Sequence, residues 1–386
     1  MLPPRVQRDE PDDAARPGQV IGLRARHRYS RLVTAWRVNA VLLPAGGAVE
    51  AGITARGQWT SRPAAGAETL PGRFILPGLV DAHCHLSVAR ADGGEPVALD
   101  PQAMRANVRQ AHAAGITAIR DTGSPGSATL QLLADQGAGL QVCGRFLAPE
   151  GRYYPGLHVP VPPEDLVAAA LAEVTAGATW IKVIADFPVL RPGEPPSDPS
   201  PTYPLADIRR LVEAVHGAGA RVAAHSTTRY VTELIAAGID SVEHGTALDE
   251  ADLVSLAARG GAWTPTLCAT IGPRPGEDPA RRKQRLERGE RLGFLLSRAA
   301  GRGLTIMTGT DVDGSIPREV ALLAELGLPP AAALAAASTA ARQFLGFAAL
   351  ADGGPADLVS YHDDPRDDPA VLDHPAAVFM RGTRIT

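Results

Sequence analysis

Two histidines separated by one residue end an apolar stretch of the sequence, PGLVDAHCHL. The apolar run predicts a β-strand. Since side chains alternate between the two faces of a strand, His83 and His85 point to one side and Cys84 to the other. Two imidazoles on one side of a strand end can bind one metal ion. The alternative is a polar strand face that carries two histidines by chance, and ligands at other strand ends decide between the two interpretations.

Four further residues with metal-binding or acid–base side chains lie at predicted strand ends: Lys182, His225, His244 and Asp311. A single histidine is more often a hydrogen-bonded structural residue than a ligand. Four imidazoles, a carboxylate and an anionic bridge at five separate strand ends, however, are a suitable ligand set for two divalent ions. Zinc is the first choice, and manganese, cobalt and iron are alternatives.

Lys182 lies in the apolar text WIKVIAD, where an unpaired ammonium is costly to bury. One explanation is that it reaches solvent or pairs with Asp186. The other is that desolvation and neighbouring cations lower its pKa, so that the free amine captures carbon dioxide. The resulting carbamate is an anion that can bridge two metal ions.

An alternation of strands and helices over residues 74–349 positions these side chains. It predicts an α/β fold with a (β/α)8 TIM barrel, whose active sites lie at the C-terminal strand ends. Three loops, residues 149–163, 187–204 and 269–281, would lie over that face. The strand candidates are Phe74–His83, Ile116–Asp121, Gln141–Ala148, Trp180–Asp186, Arg221–Ser226, Ser241–Gly245, Ala262–Leu267 and Leu304–Asp311.

The two ends of the chain have a different pattern. Residues 20–73 alternate short β-rich pieces with glycine-rich turns, and residues 350–386 contain short strands that can return to pair with them. We expect these two segments to form a small β-sandwich beside the barrel. Residues 1–19 are charged and proline-rich without an apolar core, so we expect a disordered tail and not a signal peptide or membrane anchor.

Composition narrows the class of partner. The chain has 386 residues, 45% of them hydrophobic, and a net charge of -4, which gives no reason to expect nucleic acid or an anionic membrane. A small-molecule substrate fits better, and homo-oligomerisation is left open. Three widely spaced cysteines, Cys84, Cys143 and Cys268, cannot form a disulfide framework and suit a reducing cytoplasm.

The motifs named above resemble those of the amidohydrolase superfamily, in its binuclear form with a carbamylated lysine. PGLVDAHCHL resembles the first-strand motif, WIKVIAD the lysine strand, AAHS and SVEHGT the fifth and sixth strands, TGTD the eighth, and GPADLV the returning C-terminal segment. The text AGIDSVEHGTALDEADL is most similar to the prolidase-like and imidazolonepropionase-like branch. Imidazolonepropionases lack the strand-four lysine, and deaminases usually carry a glutamate where this chain has Thr228, so the peptidase-like side is favoured.

The resemblance implies a role for each candidate. His83, His85 and Asp311 would hold the more buried ion, His225 and His244 the more exposed one, and the carbamate of Lys182 would bridge them. A hydroxide between the ions would attack the scissile carbonyl. Asp311 would accept its proton and pass it to the leaving group.

Substrate-binding residues are predicted from the loops at the barrel mouth. His158 can bind a carbonyl or carboxylate, and Arg229 and Tyr230 follow the fifth strand, where similar dipeptidases hold a substrate carboxylate. An anionic substrate end suits this lining, although the arginines also reflect an arginine-rich composition. The same loops also offer Arg152, Arg191, Tyr153 and Tyr154 as hydrogen-bond donors to such an anion.

The predicted function is metal-dependent hydrolysis of an amide, in a dipeptide or an N-acyl amino acid with a free carboxylate. A lactonase or other ester hydrolase is the alternative, because the same hydroxide attacks either carbonyl. A non-catalytic scaffold, as among hydantoinase-like relatives, is a third hypothesis. Such scaffolds usually lose metal ligands, whereas this sequence keeps every one.

Overall fold

The apolar runs of the sequence fold into strands and helices over most of the chain. The computed structural model describes residues 34–90, 94–136, 139–274 and 276–386. The tail predicted over residues 1–19, and the N-terminal β segment before residue 34, lie outside these ranges. None of the described helices is both long and apolar enough to span a membrane.

The α/β part of the chain is built on parallel strands with helices between them. Three strands form one parallel sheet and five form another, eight in all. Their residues are almost entirely buried, because both faces of each sheet are covered. The strands are β1 (Leu79–Cys84), β2 (Ile116–Asp121), β3 (Leu140–Val142), β4 (Trp180–Ile184), β5 (Arg221–Ser226), β6 (Ser241–His244), β7 (Ala262–Thr264) and β8 (Thr305–Ile306).

Two parallel backbone bridges join these sheets into a ring. Leu147, after β3, pairs with Val183 of β4, and Cys84 of β1 pairs with Asp311, after β8. The Asp311 N–H also donates to the carbonyl of His83 at 2.7 Å. The described strands therefore have a TIM-barrel-type arrangement, as the sequence predicts, and their C-terminal ends meet at one face.

Amphipathic segments pack around the ring as helices. In α4, for example, Ile208, Leu211, Val212 and Val215 are buried at helical spacing. Asp249 begins α6 with a reciprocal capping box. The helices are α1 (Pro101–Ala113), α2 (Leu133–Gln136), α3 (Leu166–Thr175), α4 (Leu205–Gly217), α5 (Val231–Ala237), α6 (Glu250–Ala258), α7 (Leu267–Ile271), α8 (Pro279–Gly301), α9 (Ile316–Glu325), α10 (Pro330–Ala336) and α11 (Thr339–Leu345). Short 3-10 helices span Pro125–Leu132, Pro163–Asp165 and Pro369–Asp373.

Both ends of the described chain contribute to one eight-stranded mixed sheet. Leu358–Tyr361 pairs antiparallel with Phe74–Pro77, which pairs in turn with Trp36–Leu42. The pairing shows a single sheet, and the two-layered sandwich stays a prediction. The other strands of this sheet are Gly47–Ile53, Trp59–Thr60, Glu68–Thr69, Ala377–Met380 and Thr383–Arg384.

Several strands differ in length from their prediction. The first candidate divides at Gly78, so that Phe74–Pro77 joins the mixed sheet and only the following residues enter the ring. The seventh ends at Thr264, because Pro265 has no N–H for the ladder and Thr266 has a left-handed backbone, with φ of 45°. The third and eighth strands are also shorter than predicted, and beyond their ends the pairing continues only as isolated backbone bridges.

Two short hairpins lie in the loops that follow strands β1 and β4. Val88–Arg90 pairs antiparallel with Pro96–Ala98, and Asp186–Phe187 pairs with Ser200–Pro201. Both follow C-terminal strand ends of the ring. They therefore contribute to the face where the candidate ligands lie.

Arg342 of α11 supplies a testable link between the ring and the mixed sheet. Its buried guanidinium donates to the carbonyls of Gly78 (2.7 Å) and Ala348 (3.0 Å) and to the hydroxyl of Thr117. We expect Arg342→Met to lower the free energy of unfolding by about 3 kcal/mol, because these buried acceptors lose a charged donor. Urea unfolding measures this loss. Arg282→Met, at an exposed position of α8, should change stability by less than about 0.5 kcal/mol. Equal effects of both substitutions would contradict the structural role of Arg342.

Candidate metal centre

The six residues predicted as metal ligands line one cavity at the C-terminal strand ends, of about 90 Å³. Within it, donor atoms of His83, His85 and Asp311 all lie within 4.8 Å of one another. The other three are Lys182, His225 and His244. The structure thus brings the predicted set together, although the strands that carry it span more than two hundred residues of sequence.

His83 is held by a carboxylate inside the ring. Its Nδ1 lies 2.7 Å from Oε2 of Glu243, and both residues are fully buried. Burial alone would raise the pKa of Glu243, but Arg120, Lys182 and the Ser241 hydroxyl together lower it. An ionised carboxylate only accepts hydrogen bonds, so Nδ1 of His83 carries the proton and Nε2 keeps its lone pair.

The same logic assigns the tautomers of two more histidines. Nδ1 of His85 faces the carbonyl of Gly123 at 3.0 Å, which can only accept. Nδ1 of His244 lies 2.6 Å from Oγ1 of Thr266, whose own hydroxyl hydrogen goes to the carbonyl of Pro265. Both Nδ1 atoms therefore donate. In His83, His85 and His244 alike, Nε2 is left with a lone pair for a cation.

Contacts between the candidate ligands complete the geometry. Nε2 of His85 lies 3.5 Å from Oδ1 of Asp311, and Nε2 of His83 lies 3.4 Å from Nζ of Lys182. The ring centres of His225 and His244 are 4.5 Å apart. Two acceptor atoms, Nε2 of His85 and Oδ1 of Asp311, therefore lie close together, an arrangement that a shared cation would stabilise.

The backbone at two of these positions is unusual. His244 and Asp311 both have left-handed conformations, with φ of 65° and 55°. This conformation costs energy for a residue with a side chain, and such outliers cluster at functional sites. Gly309 permits a further close approach, since a Cβ there would lie 2.5 Å from Cβ of His83.

Burial keeps the imidazoles neutral. Desolvation, followed by the charge of Lys182, lowers the pKa of His85 to about 3. Desolvation likewise lowers the pKa of His225 to about 4 and holds that of His83 and His244 well below the ordinary value. Neutral imidazole is the form that ligates a metal. This donor set, with one carboxylate, fits divalent ions of the zinc type.

Lys182 is buried with its amine among these rings. Only 1% of the residue is exposed. Desolvation is the main cause that lowers the pKa of Lys182, although Glu243 and Asp311 act in the opposite direction. The alternative partner, Asp186, instead accepts hydrogen bonds from Ser226, Thr227 and Thr228.

The predicted substrate-binding residues are not brought to this cavity. The ring nitrogens of His158 face the carbonyls of Tyr154 and Pro149. Arg229 forms ion pairs with two aspartates, at 2.8 and 2.9 Å, and the Tyr230 hydroxyl donates to a carbonyl at 3.0 Å. Their partners are Asp249, Asp252 and Tyr203.

Sequence reasoning missed Arg120 and Glu243. Nη2 of Arg120 donates to Oε1 of Glu243 at 2.7 Å, and its Nε donates to the carbonyl of Ala82 at 2.6 Å. The available signal was a charged residue inside each of two strands, in ITAIRD and in SVEH. Alternation in a single strand could not show that these two side chains meet across the ring.

The low pKa values predict how stability depends on pH in the metal-free protein. His85 and His225 titrate near 6.5 in an unfolded chain but near 3 and 4 when folded. A lowered folded pKa contributes stability that is complete above the unfolded value and is lost as the pH falls through the folded value. We therefore expect the free energy of unfolding to decrease as the pH falls below 6.5.

Urea unfolding after chelation measures this decrease. The double variant His85→Gln/His225→Gln is the control, because it removes these two groups and leaves the other titrating groups in place. Between about pH 7 and pH 5 the native sequence should lose at least about 2 kcal/mol more than the double variant. Parallel losses would show that the two imidazoles are not held neutral.

Known proteins resemble the chain over almost its whole length. An uncharacterized protein of Mycobacterium tuberculosis is 33% identical over 373 residues, which cover 93% of this chain and 97% of that protein. A crystal structure of a Xaa-Pro dipeptidase with bound methionine matches with a TM-score of 0.73 at 20% identity, over 91% of this chain and 99% of that one. The crystal structure of A. niger ochratoxinase matches with a TM-score of 0.75 at 18% identity, over 92% of this chain and 96% of that one.

These structural likenesses support the fold. The sequence model of the amidohydrolase family matches residues 74–385, which include all six candidate ligands. This match covers well over half of the chain. The chain therefore belongs to the amidohydrolase family, and the protein is a hydrolytic enzyme of the class that acts on carbon–nitrogen bonds.

Proposed function

We propose that this enzyme hydrolyses the amide bond of a dipeptide or an N-acyl amino acid with a free carboxylate, using two divalent metal ions, with zinc the first choice. The observation that carries the proposal is the cavity at the strand ends. Six candidate ligands line it, and three imidazoles direct a free Nε2 lone pair away from their hydrogen-bond partners.

The ligand set divides into two groups. His83, His85 and Asp311 would hold one ion, because their donor atoms already lie within 4.8 Å of one another. His225 and His244 would hold the other, since their rings are adjacent. Lys182 lines the same cavity, with Nζ 3.4 Å from Nε2 of His83, and would bridge the two groups.

Lys182 would bridge the ions as a carbamate. Its unprotonated amine forms an N–C bond with carbon dioxide, one C=O electron pair moves to oxygen, and the nitrogen releases a proton to water. The product is a carboxylate-like anion of charge -1. Burial supports this step, because desolvation favours the free amine over the ammonium.

When bound, two divalent ions lower the pKa of water and polarise the scissile carbonyl. Asp311 is placed to move the proton. Burial raises the pKa of Asp311, which suits a group that accepts a proton near neutral pH. Its carboxylate takes a proton from the attacking water while the C–O bond forms. It then gives this proton to the departing nitrogen as the C–N bond breaks.

One similar crystal structure favours a dipeptide as the substrate of this enzyme. That structure is of a Xaa-Pro dipeptidase, so it supports a substrate whose scissile peptide bond lies beside a carboxylate. We propose that the enzyme binds a small-molecule substrate and that it binds neither nucleic acid nor a membrane. A reducing cytoplasm suits Cys84, Cys143 and Cys268, all of which are free thiols.

We also propose that the chain is divided into two domains. Residues 74–349 would form the hydrolase barrel, and residues 20–73 with 350–386 would form the small β-sandwich. The mixed sheet that joins Phe74–Pro77 to Leu358–Tyr361 supports a unit composed of both chain ends. The boundary at residue 74 is close to Gly78, where the chain passes from this sheet into the ring.

Metal content tests the binuclear proposal. We expect close to two ions per chain in protein prepared with zinc and bicarbonate, because six ligands exceed what one tetrahedral ion requires. Elemental analysis measures the ratio. Lys182→Ala should bind at least one ion fewer, whereas Lys283→Ala, at an exposed position of α8, should match the native sequence. A ratio of one in the native protein, unchanged by added zinc and bicarbonate, would contradict the proposal.

Substrate panels test the reaction. We expect hydrolysis of dipeptides or N-acyl amino acids at higher kcat/KM than hydrolysis of lactones, measured with a pH indicator and amine detection. Asp311→Asn should keep its metal, because an amide oxygen can still ligate, but lose about 100-fold or more in kcat, because it cannot transfer the proton. The exposed Asp135→Asn is the control. Faster turnover of lactones would replace the amide substrate with an ester.

A further inference from the structure

A second cavity extends from the candidate ligands toward a group of arginines. It has a volume of about 380 Å³, and His225, His244 and Asp311 form one wall. Arg274 and Arg288 lie on another wall of the same cavity. Together with Arg90, three arginines therefore border the space next to the candidate metal centre.

The cavity continues into a wider groove of about 850 Å³ beside α7 and α8. Arg274 and Arg288 line both spaces, as do Arg90 and Asp313. These two arginines thus lie at the boundary between the centre and the outer groove. A substrate whose scissile carbonyl sits at the ligands would extend past them.

Arg274 and Arg288 differ from the neighbouring arginines in their contacts. Each donates to one backbone carbonyl, of Ala269 and Thr270, at 3.0 Å. Among the described residues, neither forms an ion pair, whereas Arg285 pairs with Glu277 and Arg90 with Asp313. Their charges are therefore the ones left for an external anion.

The loop arginines that the sequence offered as anion ligands are already bound to other groups of the protein. Arg229 is paired with two aspartates, and Arg191 with Glu194. Arg152 donates to the carbonyls of Phe187, Ser200 and Pro201. Binding a substrate carboxylate there would require these internal contacts to break.

We propose that Arg274 and Arg288 form the subsite for the free carboxylate of the substrate. This inference rests on the proposed function. It locates the substrate carboxylate beside the segment that follows the seventh strand, β7. A guanidinium binds a carboxylate through two parallel N–H donors. Both side chains are exposed, so each can exchange its single carbonyl contact for the ligand at little cost.

A binding experiment tests the subsite without requiring turnover. Isothermal titration of the metal-loaded enzyme with N-methanesulfonyl-L-proline, whose sulfonamide offers no scissile carbonyl, and with its C-terminal amide, compares the anion with a neutral molecule of the same shape. We expect Arg274→Gln and Arg288→Gln each to weaken binding of the acid about tenfold, and the double variant about a hundredfold. Binding of the amide should change less than about twofold. Arg282→Gln on α8, which lines neither cavity, is the matched control.

Turnover separates the two proposals. If the native enzyme hydrolyses no amide of the panel but the acid still binds through Arg274 and Arg288, the proposed function fails and the subsite stands. If amides are hydrolysed while the double variant binds the acid as the native enzyme does, the subsite is wrong and the function stands. Absence of acid binding by the native enzyme, or equal binding of acid and amide, would also overturn the subsite.

Discussion

The candidate metal centre depends on a buried ion pair between Arg120 and Glu243. Glu243 accepts from Arg120 at 2.7 Å and from the Ser241 hydroxyl at 2.6 Å, and it faces His83 at 2.7 Å. A carboxylate so deep in the protein is stable as an anion only if charged and hydrogen-bonding partners surround it. Because Arg120 keeps Glu243 ionised, Glu243 can fix the tautomer of His83.

This ion pair in turn requires the closed ring. Arg120 comes from β2 and Glu243 from β6, and they meet across the interior. Small residues on β1, β2 and β5, Ala82, Ala118 and Ala223, belong to one interior cluster with Trp180 and leave room for the Arg120 guanidinium, which stacks on Trp180 at 4.5 Å. The ion pair can therefore form, and orient the candidate ligand His83, only when the ring is closed.

Sequence patterns predicted, for a local reason, the candidate ligands that line one cavity in the structure. His83, His85, Lys182, His225 and Asp311 each lie at or near the end of an apolar strand, and a strand end is visible in a short window of residues. The parallel fold then brings all strand ends to one face, so that six candidate ligands could be grouped without knowledge of any contact.

Features that arise from contacts between distant segments were not predictable. The partnership of Arg120 with Glu243 joins positions that are far apart in sequence and look like ordinary strand residues. Loop arginines gave a similar difficulty, since composition alone cannot separate Arg229, which is paired, from Arg288, which is not paired with any described carboxylate. The strand predicted for β7 is longer than the observed one, because Pro265 has no N–H to continue the ladder.

The site therefore combines two kinds of structure with different constraints. Ligand orientation is fixed by fully buried groups, where loss of one partner leaves a charge without compensation and costs about 3–5 kcal/mol. The proposed anion contacts, Arg274 and Arg288, lie on exposed residues, where the change of one side chain leaves the ring intact. The interior can consequently preserve one chemistry while substitutions at positions such as Arg274 and Arg288 change which substrates reach it. With this division, hydrolytic reactivity and substrate choice would be separable properties of the fold, because they would depend on different residues under different energetic constraints.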